Sequence, residues 1–565
     1  MDDMGQEAGS GLIETTMAGR LTRRGFARRV AIAGVSVPAI GAFIAACGDD
    51  DDPTTGSEAP GQTEAPAGSD APGETTAPDG TEAPAASGGT IRVAAQKPAG
   101  PLDPIAMIDL GAYGCVAQCF EYLCTLADED IGPGLATEWT PNDDSTEWTF
   151  KLREGVKWQN GGDFTSADVV ATMERIATGG DGLGGSIASG DVTAPDPLTV
   201  VFTLASPNAS LPYLVSIYNP QSAITPADYE LGTTLDGRPD GTGAWKLDSY
   251  DPTTGASFVR NEAWWGGTTP LDGADWQFFS DLSSMVTAMQ GGSVDAIVQF
   301  SAIGGDALFN DDNFVPIILR ASTHREIWMN CTDGQFTDKH VRQALALCFD
   351  RDAMVETLFA GKAEVGNDHP IAPMFPFYSP DTPQRTRDTD AAKALLAEAG
   401  FPDGITATLN AVDLQEIPQL AELIQIQAAE GGFDLEINVE SGTTFYDTKW
   451  CQSYPCAGSA ELGIVDYGHR ATPDVFLLKA FRSGGDWNSS QYKSEPLDAA
   501  ILEYQANAAV PERTAACAKI QDILNDDVPA VIPYFYNYIG GHSKAFTGVR
   551  LTALGQMLLE QAAQA

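Results

Sequence analysis

Beyond Gly89 this chain has no apolar run approaching the roughly 20 residues a membrane-spanning helix requires. Basic residues are scarce: 32 Lys and Arg face 78 Asp and Glu, for a formal net charge of −46. A surface this acidic repels phosphate backbones, which excludes nucleic acid as a partner and mildly concentrates cationic solutes. The five histidines form no two-His, one-Glu zinc helix, and no metal or other cofactor is expected. A Gly-rich phosphate loop ending in Lys and Ser or Thr is missing, so nucleotide hydrolysis would fall to another subunit. Nor does any Ser lie in a Gly-x-Ser-x-Gly elbow, and Ser490 with Lys493 has the bare Ser-x-x-Lys spacing without its companion motifs. The chain shows no fixed-period repeat, which argues against a solenoid.

The N-terminus is where a motif does stand. Thr22 Arg23 Arg24 Gly25 Phe26 resembles a twin-arginine export signal, and Ile44 Ala45 Ala46 Cys47 resembles a bacterial lipobox. The apolar segment between them is rich in Ala and Gly and contains Pro38, as a signal h-region does. Residues 1–46 are therefore expected to be a signal peptide, removed to leave Cys47 carrying a diacylglycerol, and two acyl chains suffice for stable anchoring. Residues 47–88 follow as an acidic linker: Gly48 to Gly88 has no aromatic and no basic residue. Such a composition cannot bury enough apolar area to offset its ordering entropy and predicts disorder. As a flexible tether it would reach roughly 35 Å. The expected location is the outer face of the cytoplasmic membrane, held by lipid.

Eight cysteines remain in the body, and eight thiols allow roughly a hundred pairings. Cys451 and Cys456 are the pair expected to be bridged, because they flank a short loop containing Pro455. Cys115, Cys119 and Cys124, beside Phe120 and Leu123, fit buried small apolar residues better than a metal nest. Strand-like and helix-like segments alternate throughout, which favours an α/β class. Trp148, Phe150 and Leu152 alternate with polar neighbours as in a half-buried strand. Thr165 and Asp168 form a capping box ahead of the stripe Val169, Val170, Met173 and Ile176. Val341, Ala344, Leu345 and Cys348 stripe a helix after Thr337, Gly400 stops the helix from Ala391, and Leu435, Ile437 and Val439 read as a strand after a helix around Leu420 to Ala429.

Several blocks, in order, resemble the family 5 extracellular solute-binding proteins of ABC importers, which include oligopeptide, dipeptide and nickel receptors. They are Pro133 to Trp139, Trp148 to Trp158, Phe164 to Val170, Gly241 to Leu247, Arg260 to Gly267 (Arg-Asn-Glu-Ala-Trp-Trp-Gly-Gly), Val341 to Leu347, Ala391 to Phe401 and Pro529 to Tyr534. The resemblance implies two α/β lobes joined by a hinge, with an extra subdomain on lobe one. Lobe one is then 89–127, 239–325 and 533–565, the subdomain 128–238 and lobe two 326–532, with hinge strands near Ile327 to Asn330 and Val531 to Tyr536. It further implies a monomer that captures a small solute, a short peptide above all, closes over it and hands it to the permease. An oligosaccharide or chelated nickel is the alternative cargo, and a secreted hydrolase the alternative class.

In peptide-binding relatives an aspartate on lobe two holds the ligand's amino terminus, and the corresponding stretch here resembles Asp466 Tyr467 Gly468 His469 Arg470 Ala471 Thr472 Pro473 Asp474. Asp466 is the first choice and Asp474 the second, since a carboxylate facing an ammonium forms a charge-assisted bond. His469 and Arg470 depart from the family pattern by lengthening the loop. Arg470 could grip a ligand carboxylate or form an ion pair, and His469 could ligate a chelated metal or simply hydrogen-bond. Aromatic residues cluster nearby at Tyr446, Trp450, Tyr467, Trp487, Tyr534 and Tyr536, and Trp487 and Asn488 fall in a loop behind Ser483 Gly484 Gly485. Planar rings suit flexible ligands, with a few polar groups fixing orientation.

Overall fold

The computed structural model describes residues 88–565 apart from 128–129, 180–181, 452–455 and 457–458. The expected signal and nearly all of the linker, with Arg23, Arg24 and Cys47, lie outside the described residues, as does Pro455. No helix among the described residues is long and apolar enough to cross a membrane.

Two seven-stranded sheets organise the chain. The first runs Phe314–Leu319, Tyr538–Ser543, Ala296–Ile297, Thr90–Gln96, Gly273–Phe279, Gly255–Arg260, Trp245–Asp251. Thr90–Gln96 is parallel to both neighbours, and Ile91, Val93, Ala94 and Ala95 are all buried. A central parallel strand covered on both faces reads as such a continuous apolar run. Helices Leu110–Cys119 and Leu282–Gln290 pack on it. The Asp109 carboxylate accepts from the Ala112 N–H (3.1 Å) to start the first of these. Cys115 and Cys119 on that helix, and Cys124 just beyond it, are buried, and burial pushes the Cys119 thiol up to about 12.

The second sheet runs Ala363–Val365, Tyr534–Tyr536, His324–Met329, Leu462–Tyr467, Ile405–Val412, Phe433–Glu440, with Ala530–Val531 also paired to His324–Met329. The last three strands of that run are parallel, and helix Ile417–Glu430 makes the crossover between Ile405–Val412 and Phe433–Glu440. All three therefore end on one edge of the sheet.

A four-stranded antiparallel sheet, Ala136–Pro141, Glu147–Leu152, Thr199–Thr203, Val192–Asp196, forms the extra subdomain with helix Ser166–Gly179. Trp148, Phe150 and Leu152 point inward, and the Asp168 carboxylate accepts from the Thr165 N–H (2.8 Å) as a capping box requires. Gln159 and Gln221 fasten this subdomain to the first half through the carbonyls of Trp245 (2.8 Å) and Met107 (2.9 Å).

The chain crosses between the large sheets twice, through residues 320–323 and through Asn537. The expected boundaries at 325/326 and 532/533 therefore shift. His324 and Arg325 are laddered to Tyr467 and Asp466, and Tyr534–Tyr536 to Ala363–Val365, so these residues belong to the second sheet. A hinge placed inside a ladder would leave its backbone groups unpaired.

Candidate functional site

Three connections leave the common edge of the parallel strands in the second sheet, the place where open α/β sheets gather ligands. Leu462–Tyr467 delivers Asp466, Ile405–Val412 leads to Gln415 and Glu416, and Phe433–Glu440 leads to helix Gly442–Thr448, which carries Tyr446. Asp466 is half-buried and accepts a hydrogen bond from the Tyr446 hydroxyl. Burial, and then the Asp466 charge, push the Tyr446 phenol far above its ordinary value, which keeps it a donor.

Across the ladder from Asp466 stands Arg325, its side chain 1% exposed. Its Nε donates to Glu416 Oε1 (2.8 Å), and its Nη2 donates to Glu416 Oε2 (3.0 Å) and Gln415 Oε1 (2.7 Å). The Tyr536 ring lies 4.8 Å from its Cζ, and the Tyr534 hydroxyl donates to Glu416 Oε1 (3.1 Å). Burial opposes the charge on Arg325, but Tyr536 and Glu416 outweigh it and hold the guanidinium protonated. Gln415 has φ +49°, a left-handed conformation that costs a non-glycine residue energy and that its bonds to Arg325 and Tyr536 hold in place.

Tyr467 points to the opposite face of the strand. It stacks on Trp487 (5.9 Å, 23°) and meets Phe476 edge-on, while Lys479 Nζ lies 5.0 Å from the Trp487 ring. Trp450 packs edge-on to Tyr446 at 5.6 Å, immediately before the Cys451–Cys456 disulfide. Tyr446, Trp450, Asp466 and Tyr536 therefore gather at one end of the strand, with Tyr467 and Trp487 behind it.

Other expected residues have different roles in this conformation. His469 is 2% exposed: the Ser322 N–H donates to its Nδ1 (3.2 Å), which places the ring proton on Nε2, and the ring sits edge-on to Tyr218 at 5.7 Å. Burial, and then Arg470, lower its basicity to about 3. With Nδ1 accepting and Nε2 protonated, the ring offers no lone pair to a metal. Arg470 donates its N–H to Ser322 Oγ (2.9 Å) and its Nη1–H to the His469 carbonyl (2.8 Å), so this longer loop grips the first crossing. Asn488 is 3% exposed and uses its full amide capacity inside its own loop. Its Nδ2 donates to the carbonyls of Arg482 and Tyr492, and its Oδ1 accepts from Ser490 Oγ and the Tyr492 N–H. Ser490 is thus buried and turned toward Asn488, while Lys493 is exposed, so the two form no nucleophile and base pair.

Asp474, the second choice for the amine contact, is corrected. It is 4% exposed and accepts from the hydroxyls of Ser210 (2.8 Å) and Tyr504 (2.9 Å), with Arg513 Nη2 at 3.8 Å. Arg513 in turn donates to Ser210 Oγ (2.6 Å) and to the Tyr504 hydroxyl. Ser210 comes from the extra subdomain, so Asp474 joins that subdomain to the second half of the molecule instead of facing a ligand.

Arg325, Gln415 and Glu416 were not found from sequence. The available signal was the run His324 Arg325 Glu326 just before an expected hinge strand, where ionisable residues on both faces of an extended segment demand partners. Among the described residues the Glu326 carboxyl has only the Ser489 hydroxyl (3.3 Å) as a partner, and burial pushes it up to about 8.

Comparison with known proteins defines the class first. The ABC transporter substrate binding protein CtaP from Listeria monocytogenes has a TM-score of 0.74 at 18% identity, over 84% of this chain and 100% of its own. The periplasmic binding protein DppA from Helicobacter pylori, in complex with peptide STSA, has a TM-score of 0.66 at 22% identity, over 84% and 99%. The fold is the two-lobed, hinged fold of such binding proteins. Glutathione-binding protein GsiB of Escherichia coli (strain K12) is 26% identical over 444 residues, 73% of this chain and 82% of that protein. Residues 130–489 match the family described as bacterial extracellular solute-binding proteins, family 5 Middle, and the chain belongs to that family. It is the substrate-binding component of an ABC importer, working outside the cytoplasm.

Proposed function

We propose that this chain binds a short peptide, or a peptide-like solute bearing a free amino group, with Asp466 as the anchor for the ammonium. The observation that carries this reading is the charge count around Arg325. Asp466 and Glu416 supply two carboxylates against one guanidinium, and Arg325 is committed to Glu416. A ligand ammonium would balance the remaining charge and form a charge-assisted bond to an oriented carboxylate. The relatives named for glutathione and for a bound peptide carry ligands of this type. Tyr446, Trp450 and Tyr536 offer the flanking planes. The ligand is held and released unaltered. On the membrane side, Cys47 is the lipidated residue, and a monomer tethered by residues 47–88 stays near its permease at high effective concentration.

The test is calorimetric titration of a tripeptide and its N-acetylated form into the wild type and Asp466→Asn. The wild type should prefer the free amine, the variant should lose that preference, and recovered peptide should be intact. Equal affinity for both forms in the wild type would remove the amine contact, and cleaved peptide would favour a hydrolase. Replacing Cys47 with Ala should release the protein from membranes; a variant that still pellets with them would sink the lipid anchor.

A further inference from the structure

The Cys451–Cys456 bridge stands where a structural staple would achieve little. It joins positions five apart in the sequence. Loop-closure entropy grows with loop length, so a bridge this short adds little to global stability. What it fixes is local. Cys451 has φ +40°, a left-handed conformation that costs a non-glycine residue energy. Trp450, directly before it, packs edge-on to Tyr446, whose hydroxyl donates to Asp466. Cys456 belongs to a different neighbourhood: its N–H donates to the Asp486 carbonyl (3.1 Å), and Gln491 Nε2 donates to the Cys456 carbonyl (3.2 Å). Asp486 and Gln491 flank the segment that carries Trp487, stacked on Tyr467. The bridge is therefore a covalent tie between the ring wall beside Asp466 and the loop behind the strand.

The other thiols are placed differently. Cys115, Cys119, Cys124, Cys348 and Cys517 are buried. Cys331 is partly exposed, but its Sγ donates to the Met329 carbonyl (3.4 Å), and burial pushes the thiol up to about 11. Thiol–disulfide exchange runs through a thiolate and needs a sulfur that the attacker can reach. Cys451 and Cys456 are both partly exposed, so among the described cysteines theirs are the sulfurs open to exchange. Outside the cytoplasm the oxidised form is the resting one.

We propose that Cys451–Cys456 is a redox modification site that sets the ligand affinity of the neighbouring Asp466 site, opened by small-molecule thiols and closed again by their disulfides. The thiolate of one such molecule attacks a bridge sulfur and forms a mixed disulfide, while the other cysteine leaves as a thiolate and takes a proton. A second thiol displaces the first as the symmetric disulfide. Cys451 and Cys456 are then both thiols, and two electrons and two protons have passed to the protein. With the bridge open, Cys451 relaxes out of its left-handed conformation and Trp450 loses its fixed place against Tyr446. Each binding event must then order those rings again, which weakens the ligand. The effect on affinity rests on the reading of Asp466 as the anchor; the release of Trp450 does not.

The test treats the full chain with 2-mercaptoethanol. Peptide mapping after iodoacetamide should label Cys451 and Cys456 only in the treated protein and leave the five buried cysteines unlabelled. The Trp450 indole N–H resonance of a nitrogen-15 labelled sample should move. Calorimetric titration with trialanine should show an affinity lower by roughly three- to tenfold, restored by 2-hydroxyethyl disulfide, while the thermal midpoint moves little. The double variant Cys451→Ser, Cys456→Ser should bind weakly with or without thiol, and the wild type cycled through reduction and reoxidation serves should that variant not fold. A bridge that resists thiol in the folded protein, a Trp450 signal unmoved by its opening, equal affinity in the two forms, or a loss of binding that tracks a lowered midpoint would overturn the proposal. If the untreated protein ignores trialanine, the fault lies with the anchor reading, and the labelling and the Trp450 signal still decide the redox site.

Discussion

Asp466 and Asp474 sit on one stretch of chain and carry the same functional group, yet their surroundings have little in common. Asp466 is half-buried at a sheet edge, receives one phenol hydroxyl and has Arg325 across the ladder. Asp474 is almost fully enclosed, with two hydroxyls on one oxygen and Arg513 just beyond. What separates the proposed anchor from the fastener is thus a guanidinium of its own: Arg513 stands beside Asp474, while the Arg325 beside Asp466 is committed to Glu416.

The sharpest way to break this contrast is at Asp474. Asp474→Asn leaves Arg513 buried beside neutral partners and should cost roughly 3–5 kcal/mol in urea denaturation, with little change in the affinity of the protein that remains folded. A larger loss of ligand than of stability would exchange the roles of the two aspartates.

Glu326 supplies a third case, a buried carboxyl with a single hydroxyl partner. Its folded value of about 8 lies above that of the unfolded chain, so between about pH 4.5 and 8 the folded state keeps a proton that unfolding releases. Stability should therefore be fully present at the acid end of that window and fall by an order of a few kcal/mol toward pH 8. Glu326→Gln should flatten the profile; an unchanged slope in that variant would place the titration elsewhere.

At Asp466 the expected loss is smaller and of another kind. Asp466→Asn should weaken an amine-bearing peptide by roughly 1.5–3 kcal/mol while shifting the denaturation midpoint little. If stability falls instead, the carboxylate belongs with Asp474 as a fastener.

The smallest effect belongs to Ser210, the hydroxyl that the subdomain inserts between Asp474 and Arg513. Ser210→Ala should remove about 1 kcal/mol of contact between the halves, read as a larger ligand-free radius of gyration in solution scattering. No expansion would mean that this contact survives in the open form.

Much of the architecture was legible because it is local. The alternation at Trp148, Phe150 and Leu152, the capping box at Thr165 and Asp168, and the stop at Gly400 each depend on neighbours within a turn or two, and the structure realises all three. The ordered family blocks then supplied the two-lobed fold. Legibility ended where residues distant in sequence meet. Arg325 faces Asp466 because of a strand register, and Ser210 reaches Asp474 because a whole subdomain folds back. Side-chain capacity was equally invisible: nothing local shows that Asn488 bonds within its own loop, or that Nδ1 of His469 is taken by the first crossing.

Strand Tyr534–Tyr536 ends in one sheet and strand Tyr538–Ser543 begins in the other, with Asn537 alone between them. One residue offers only two soft torsions, so the lobes cannot slide or drift apart along this connection; they can only pivot. Lengthening it by a few glycines would convert a door on a pin into two bodies on a string, and the closed shape that a permease must read would become one arrangement among many.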